Sequence, residues 1–454
     1  MTTFSVIMAT YNRGRHILPS IQSVLRQTRQ DFELLVVGDC CTDDTADVVQ
    51  ALASRQIRWS TLSERGGSQA FPNNAGIEMA RGQYVAYLGH DDLWAPDHLQ
   101  ALADLFGRDP RPDFVVSGAI FHGPRASNFR WVTGIFSEPD AAFKHFFPPS
   151  SFGHRRDVVD RIGKWRSPKE ITAPVDADFM LRAAKSGMHF VSTQRITVQK
   201  FAAGHRYLSY MSQGSDEQER MARRMARPGF EGYLASELTK AKAANTYMVM
   251  VHPDYERFEK GQLATQIATN KGIVRPNLSS LRKREVIKQD NSPKALDWSP
   301  LQAGGDWILW VGCNPRPKLL VPFKYAGKAR IRLEIQHPQR EALTRLKLSV
   351  NGQPVVASIS AVRQEGNLWN AQATFETSLR KDDHTILELH LNRLQRRAEQ
   401  RAGIGVADIE VTPLGWRSVV AQSKRFLARS ARGNRVLAKL ARGKRLLAKF
   451  RPAR

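Results

Sequence analysis

Apolar and polar positions change their period twice along this chain. Through the first 215 residues, short continuous apolar runs alternate with stretches spaced as amphipathic helices. The runs FSVIMAT (4–10), FELLVVGD (32–39), IRWSTL (57–62), YVAYLG (84–89) and DFVVSGAIF (113–121) predict buried strands. Between them, HILPSIQSVLRQT (16–28) places Ile17, Ile21, Val24 and Leu25 at helical spacing, and TDDTADVVQALAS (42–54) opens on capping residues. APDHLQALADLFG (95–107) runs from Pro96 to Gly107, the usual asymmetry of a helix. Strands alternating with helices predict an α/β layer around a mostly parallel sheet, in which ligands bind beyond the carboxyl ends of the strands.

From 216 to 294 the pattern is polar and helical, with DEQERMARRM and FEGYLASELTKAKAANTYMVM as helix candidates. This stretch reads as a connector that packs on the first domain. From 295 to 415 the period is two: ARIRLEIQH alternates Ile331, Leu333 and Ile335, and Asn351-Gly352 sits between two such runs as a hairpin signal. A separate antiparallel β-sandwich is predicted there. It is a candidate binding domain, in which Trp307, Trp310 and Trp369 read equally as core or as binding platform. Residues 416–454 form a tail with a ten-residue repeat, KRFLARSARG, NRVLAKLARG, KRLLAKFRPAR. On a helix its Leu, Val and Phe residues would gather on one side, with Gly433 and Gly443 weakening it.

Length and charge sharpen this division. A chain of 454 residues exceeds a single small core. Three cysteines, Cys40, Cys41 and Cys313, make no disulfide framework and suit a reducing compartment. No signal peptide and no apolar run of about 18 residues is evident, so the expected location is cytoplasmic. The net charge of +25 is uneven: from Lys424 to Arg454 there are twelve Lys and Arg residues and no Asp or Glu. The tail reads as a solvated basic extension or as an anchor on an anionic membrane surface, which would make the protein peripheral on the inner face of the cell membrane. Nucleic acid is a poorer partner, because the tail has no Tyr or Trp for base stacking.

Three acidic clusters fall where strands should end: Asp39, the pair Asp91-Asp92, and Asp176 with Asp178. An isolated Asp in such a place is a helix cap, the bland reading for Asp43, Asp44 and Asp178. Several carboxylates converging on one sheet edge repel unless a cation or hydrogen-bond donors sit among them. Cys40 and Cys41 have no ligand partners at metal spacing and read as packing, and Gly66-Gly67 lacks the context of a phosphate loop.

The segments FSVIMATYNR, QTRQDFELLVVGDCCTDDT, PNNAGIEMARGQYVAYLGHDDLWAPDHL and APVDADFMLRAAKSG resemble, in order and spacing, the motifs of family 2 glycosyltransferases with the A-type fold, over about residues 1–210. The resemblance implies a catalytic domain over 1–215, a nucleotide-sugar donor, most simply uridine-linked, and a divalent cation, Mg2+ or Mn2+. It also implies inversion at the anomeric carbon and a glycan or lipid-linked acceptor in cell-surface polysaccharide synthesis. Carried over by position, Thr10, Tyr11 and Arg13 lie near base and ribose, Asp39 recognises uracil or ribose, and Asn74 belongs to the Asn-x-Gly completed by Gly76. Asp91 binds the metal on the diphosphate, and Asp176 is the general base. His90 reads as a nucleotide contact or a turn residue, and Asp92 as a donor-side residue that caps the next helix or orients its neighbours. His205 and Arg206, in KFAAGHRYLSY, reach the diphosphate or metal if their loop closes.

Three positions depart from the family pattern: Gly38, Gly89 and Val175 stand where carboxylates are usual. They keep alive a second reading, a catalytically inactive glycan-binding or scaffold protein. A nucleotidyltransferase would share the architecture, but TYNRGRH is a poor match for its phosphate loop.

Overall fold

The computed structural model describes residues 3–123, 130–138, 140–201, 206–211, 214–247, 250–290, 294, 298–303, 306–311, 314–391 and 403–414. The expected tail, Cys313 and His205 therefore lie outside the described residues. The chain divides into two compact units, residues 1–275 with 294–297, and 276–293 with 298–454.

In the first unit the strands are β1 (Phe4–Thr10), β2 (Phe32–Gly38), β3 (Ile57–Thr61), β4 (Tyr84–Tyr87), β5 (Leu93–Trp94), β6 (Phe114–His122), β7 (Arg130–Thr133), β8 (Phe152–Arg155) and β9 (Phe190–Lys200). The helices are α1 (Leu18–Leu25), α2 (Thr45–Gln50), α3 (Ala70–Met79), α4 (His98–Arg108), α5 (Ala141–Lys144), α6 (Val158–Ile162), α7 (Val175–Lys185), α8 (Asp216–Met225), α9 (Phe230–Ala243) and α10 (Gln262–Lys271). The sheet runs β3-β2-β1-β4-β8-β6-β9-β5, with β7 beside β6. Its β3-β2-β1-β4 half is parallel; beyond β4 the pairs are antiparallel except β6 with β9.

The continuous apolar runs follow from burial on both faces. Along β1, Ile7 joins one core with Leu35, Tyr87, Phe114 and Phe179, while Val6 and Met8 join the other with Ile21, Val36 and Leu99. Adjacent residues of a strand point to opposite faces, so helices on both sides require apolar residues at every position. Helix α3 lies close on β1 at Gly76, where a Cβ would come within 2.6 Å of Ile7 Cγ2. Helix α9 packs Phe230 and Leu234 on Ile120 and Ile196 of the sheet, so part of the polar helical stretch belongs to this unit's core.

The second unit is antiparallel apart from one short parallel pair, 279–280 with 323–324. A seven-stranded sheet contains Lys328–His337 between Leu368–Ser378 and Gly405–Pro413, and a four-stranded sheet contains Thr385–His390 and Lys347–Val350. Ile331, Leu333 and Ile335 are buried as their alternation predicts, and Trp310 is buried too. Asn351 and Gly352 both have positive φ, 49° and 81°, and turn Lys347–Val350 into Gln353–Val355. Glu285–Lys288, inside the stretch read as helical, is a strand on Gly405–Pro413, because sheet pairing outweighs the weak helical tendency of its Val286-Ile287.

Candidate active site

The parallel half of the sheet delivers two loops to its carboxyl edge. After Thr10 the chain turns through Asn12 and Gly14, both at positive φ, 46° and 43°. Thr45 Oγ1 accepts the Arg13 and Gly14 N–H groups at 2.9 and 2.8 Å, and the Asn12 side chain exchanges hydrogen bonds with Thr42 at 3.0 and 2.8 Å. The two loops are thus one cross-bonded unit. Asp39 donates its N–H to Thr10 O at 2.8 Å, and its carboxylate accepts the N–H groups of Gly66 and Gly67 at 2.6 and 2.8 Å. It seats the 63–69 loop, whose Arg65 guanidinium lies 4.1 Å from the Tyr11 ring centroid.

Arg13 is only 4% exposed, and its Nε and Nη1 meet no acceptor among the described residues; nor does Thr10 Oγ1. Leaving buried donors unmet is costly, so such groups mark a place where a ligand acceptor belongs. The Arg13 guanidinium lies 5.0 Å from the Tyr210 ring centroid. Tyr210 OH and His90 Nε2 are 2.9 Å apart, and His90 Nδ1 is 3.2 Å from Ala9 O. Because a carbonyl only accepts, Nδ1 carries the proton and Nε2 accepts from Tyr210. Burial first, then the Arg13 charge, push the His90 imidazolium down to about 3, which keeps the ring neutral.

The adjacent carboxylates after β4 have different fates. Asp92 is fully buried, and its Oδ2 accepts Ser150 Oγ at 2.6 Å and Lys200 Nζ at 2.5 Å, while Oδ1 accepts the Phe201 N–H at 3.1 Å. Three of its acceptor directions go to the scaffold, so it orients Lys200. Nor does it cap the next helix, whose N-cap is Asp97. Asp91 is buried as well, with its carbonyl accepting Gln218 Nε2 at 3.3 Å. Burial opposes its ionisation, but neighbouring charges outweigh that and hold it below the usual carboxylate range. With His90 neutral, the cations that act on Asp91 are Lys200 and Arg13, joined by Lys271, whose own pKa is lowered by burial and by the neighbouring Lys200 and Arg13 charges.

Asp176 lies in the first turn of α7, half-buried, its Oδ1 accepting the Ala177 N–H at 3.0 Å. Burial raises its pKa, opposed by Lys200 and Lys271, which puts it in the same electrostatic neighbourhood as Asp91. Thr10, Arg13, His90, Asp91 and Asp176 therefore gather at one edge, with Tyr11 and Asp39 at its flank.

Two other expected contacts sit elsewhere. Both ends of the Asn74 amide bond the Trp165 backbone, at 2.8 and 3.0 Å, so Asn74 pins a loop. Arg206 pairs with Glu217 at 2.5 Å and donates to Phe201 O and Gly123 O, which fixes the chain leaving β9. Asp178 pairs with Arg182 at 2.9 Å, in keeping with a structural role. Lys200, Tyr210, Gln218 and Lys271 complete the site and had no motif to announce them. The one local signal was a lysine ending the apolar run of β9.

The divalent cation that the family implies finds few oxygens here. Asp92 is fully engaged, and a Cβ at Gly89 would come within 2.8 Å of Asp92 Oδ2 and 3.2 Å of Asp91 Oδ1, so the turn has closed over the place of a further carboxylate. Among the described residues no three His, Cys, Asp or Glu side chains group to hold a metal. Asp91 already faces Arg13, Lys200 and Lys271. A hard cation wants several oxygens and no competing cations. Among the described residues, the side chains at this edge do not fit a protein-held divalent ion.

The family described as Glycosyl transferase family 2 matches residues 5–163. An uncharacterized glycosyltransferase of Nostoc sp. is 31% identical over 183 residues, 36% of this chain and 55% of the relative. A PGL/p-HBAD biosynthesis glycosyltransferase of Mycobacterium bovis is 30% identical over 183 residues, 39% of this chain and 68% of the relative. A poly(ribitol-phosphate) beta-N-acetylglucosaminyltransferase of Staphylococcus aureus is 34% identical over 122 residues, 26% of this chain and 36% of the relative. The chain belongs to glycosyltransferase family 2, and its first unit has the A-type glycosyltransferase fold. The chain thus spans little more than half of the Nostoc relative's length, and the matched stretch lies within the first unit.

Proposed function

We propose that this chain moves a sugar from a nucleotide-diphosphate donor, uridine-linked in the simplest case, to an acceptor hydroxyl with inversion. The acceptor would be a glycan or a lipid-linked glycan in cell-surface polysaccharide synthesis. The name of the S. aureus relative, with its poly(ribitol-phosphate) substrate, supports that class. The observation that carries the reading is Asp176, a half-buried carboxylate of raised pKa that faces the Lys200 and Lys271 charges. A base of raised pKa accepts a proton more readily.

In this mechanism Asp176 takes the acceptor's proton as the oxygen attacks the anomeric carbon. The bond from that carbon to the diphosphate oxygen breaks on the opposite side. One displacement inverts the centre. Thr10, Tyr11 and Asp39 would hold the nucleoside end, with Arg13 beside them where the nucleoside meets the diphosphate. Anchoring to an anionic membrane remains a role for the 416–454 tail, and among the described residues no helix is long and apolar enough to cross a membrane.

The test is release of nucleotide diphosphate from a panel of uridine- and guanosine-linked sugars. Asp176→Asn is expected to lower turnover by about 10²–10⁴-fold with nucleotide affinity unchanged. Because the base must be ionised, activity should fall as pH drops through the raised pKa, above the ordinary carboxylate range. Full activity in Asp176→Asn, or turnover of no donor by the native chain, would refute the reading and favour the inactive scaffold.

A further inference from the structure

The cations at the edge of the sheet come from three distant stretches: Arg13 after β1, Lys200 at the end of β9, and Lys271 at the end of α10. They are brought together by specific contacts. Tyr210 covers Arg13 with its ring, bonds His90 through its hydroxyl, and donates its N–H to Lys271 O at 2.9 Å. Leu208 N–H likewise bonds Asn270 O at 2.7 Å, so the 206–211 segment is tied to the end of α10. Gly272 permits the approach: at φ 77°, it packs on Met211 and Leu208. On the other side, Asp92 holds Lys200 by its ammonium group.

A buried guanidinium with two unmet donors is matched to a ligand that brings paired anionic oxygens, and phosphate is the chemistry that fits it best. The neighbouring turn has closed on Gly89 where another metal-binding carboxylate would stand. Among the described residues the cations gather at this edge, while no three His, Cys, Asp or Glu side chains group to hold a metal.

We propose that Arg13 and Lys271, with Lys200 held behind them by Asp92, take the negative charge of the donor's diphosphate, so that binding and transfer need no divalent metal. The inference rests on the donor-site reading above. Asp91 then offsets part of the positive charge and competes with the diphosphate for it. During transfer the acceptor proton passes to Asp176 and the new C–O bond forms. The electron pair of the broken anomeric bond stays on the diphosphate, where Arg13 and Lys271 meet it. Preorganised positive charge aimed at a leaving group does the same electrostatic work as a metal ion.

Calorimetry on the full chain distinguishes the cases, with uridine diphosphate, guanosine diphosphate and the two nucleosides as probes. Each is titrated in chelator and again in excess Mg2+ or Mn2+. The better-bound diphosphate should bind equally, within about threefold, in both buffers. Lys271→Met should weaken it about 10- to 100-fold, and Lys271→Arg should restore it, while nucleoside binding stays put. Asp91→Asn, which removes a negative charge from the phosphate seat, should leave binding in chelator intact or tighter. Binding that appears only with metal and disappears in Asp91→Asn overturns the proposal while leaving the donor site standing. Unchanged affinity in Lys271→Met also overturns it. Failure of both diphosphates to bind in either buffer overturns the donor-site reading, and this proposal with it.

Discussion

At the β1–β2 edge of the cleft, Thr10, Arg13 and Asp39 are positioned by loops that follow neighbouring parallel strands and bond each other directly. At the β4–β9 edge, Asp91, Asp92, Lys200 and Lys271 come from segments as much as 180 residues apart, joined by the buried Lys200–Asp92 ion pair and, through Tyr210, the neutral His90. The first edge is held by hydrogen bonds among backbone and small polar groups, which change little with pH. The second depends on charges kept away from water. Such an arrangement is stable only while each charge has its partner and each buried histidine stays neutral.

The largest expected consequence of that difference is acid lability. Burial pushes His90, His98 and His122 down to about 3 and His154 to about 4, all beyond β3. Their folded pKa values lie below the unfolded one, so the unfolded chain takes up protons first. Each contributes stability that is present above about pH 6.5 and is lost as pH falls from there toward the folded values, at about 1.4 kcal/mol per histidine per pH unit. Urea unfolding followed by tryptophan fluorescence should show the first unit losing several kcal/mol between about pH 7 and pH 5. A stability that stays flat over that range would break the comparison.

Next in size is the Lys200–Asp92 pair. Lys200→Met leaves Asp92 buried with its charge unbalanced, and about 3–5 kcal/mol of stability should be lost. Adding Asp92→Asn to that variant should recover much of it, because the uncompensated charge is gone. A double-mutant cycle measures the coupling. No coupling would mean that Lys200 is not held by Asp92 in solution.

The unequal legibility of the two edges has the same origin. The strands of the parallel half were readable because helices on both faces demand apolar residues at every position, and Asp39 and Asp91 were readable because they end such runs. The Asn351-Gly352 hairpin was readable because two consecutive positive φ angles suit few residue pairs. Lys271 was not readable. It ends an unremarkable helix, and its meaning lies in Tyr210 and His90, which the sequence does not connect to it. Asp92 was misleading, since a carboxylate beside the site looks the same in sequence whether it meets a ligand or a lysine. Glu285–Lys288 was missed because four residues carry too little pattern to reveal a strand whose partner lies more than a hundred residues on.

Asn74 gives the smallest effect and the sharpest distinction. Its position in the family's Asn-x-Gly gave it a donor-side role, yet its amide closes two hydrogen bonds with the Trp165 backbone. Trp165 in turn donates through Nε1 to Tyr87 OH at 3.2 Å and stacks on Phe179 of α7, with ring centroids 4.7 Å apart. Asn74 therefore braces the loop leading to the helix that carries Asp176. Asn74→Ala removes both partners at once and leaves a backbone N–H and C=O to find water, at a cost of about 1–3 kcal/mol. Nucleotide affinity should stay within about twofold of the native chain, because nothing that faces the donor has changed. Turnover should fall more than affinity, since α7 would sit less firmly. A loss of nucleotide binding at unchanged stability would return Asn74 to the donor side and make the β1–β2 edge larger than its cross-bonded loops.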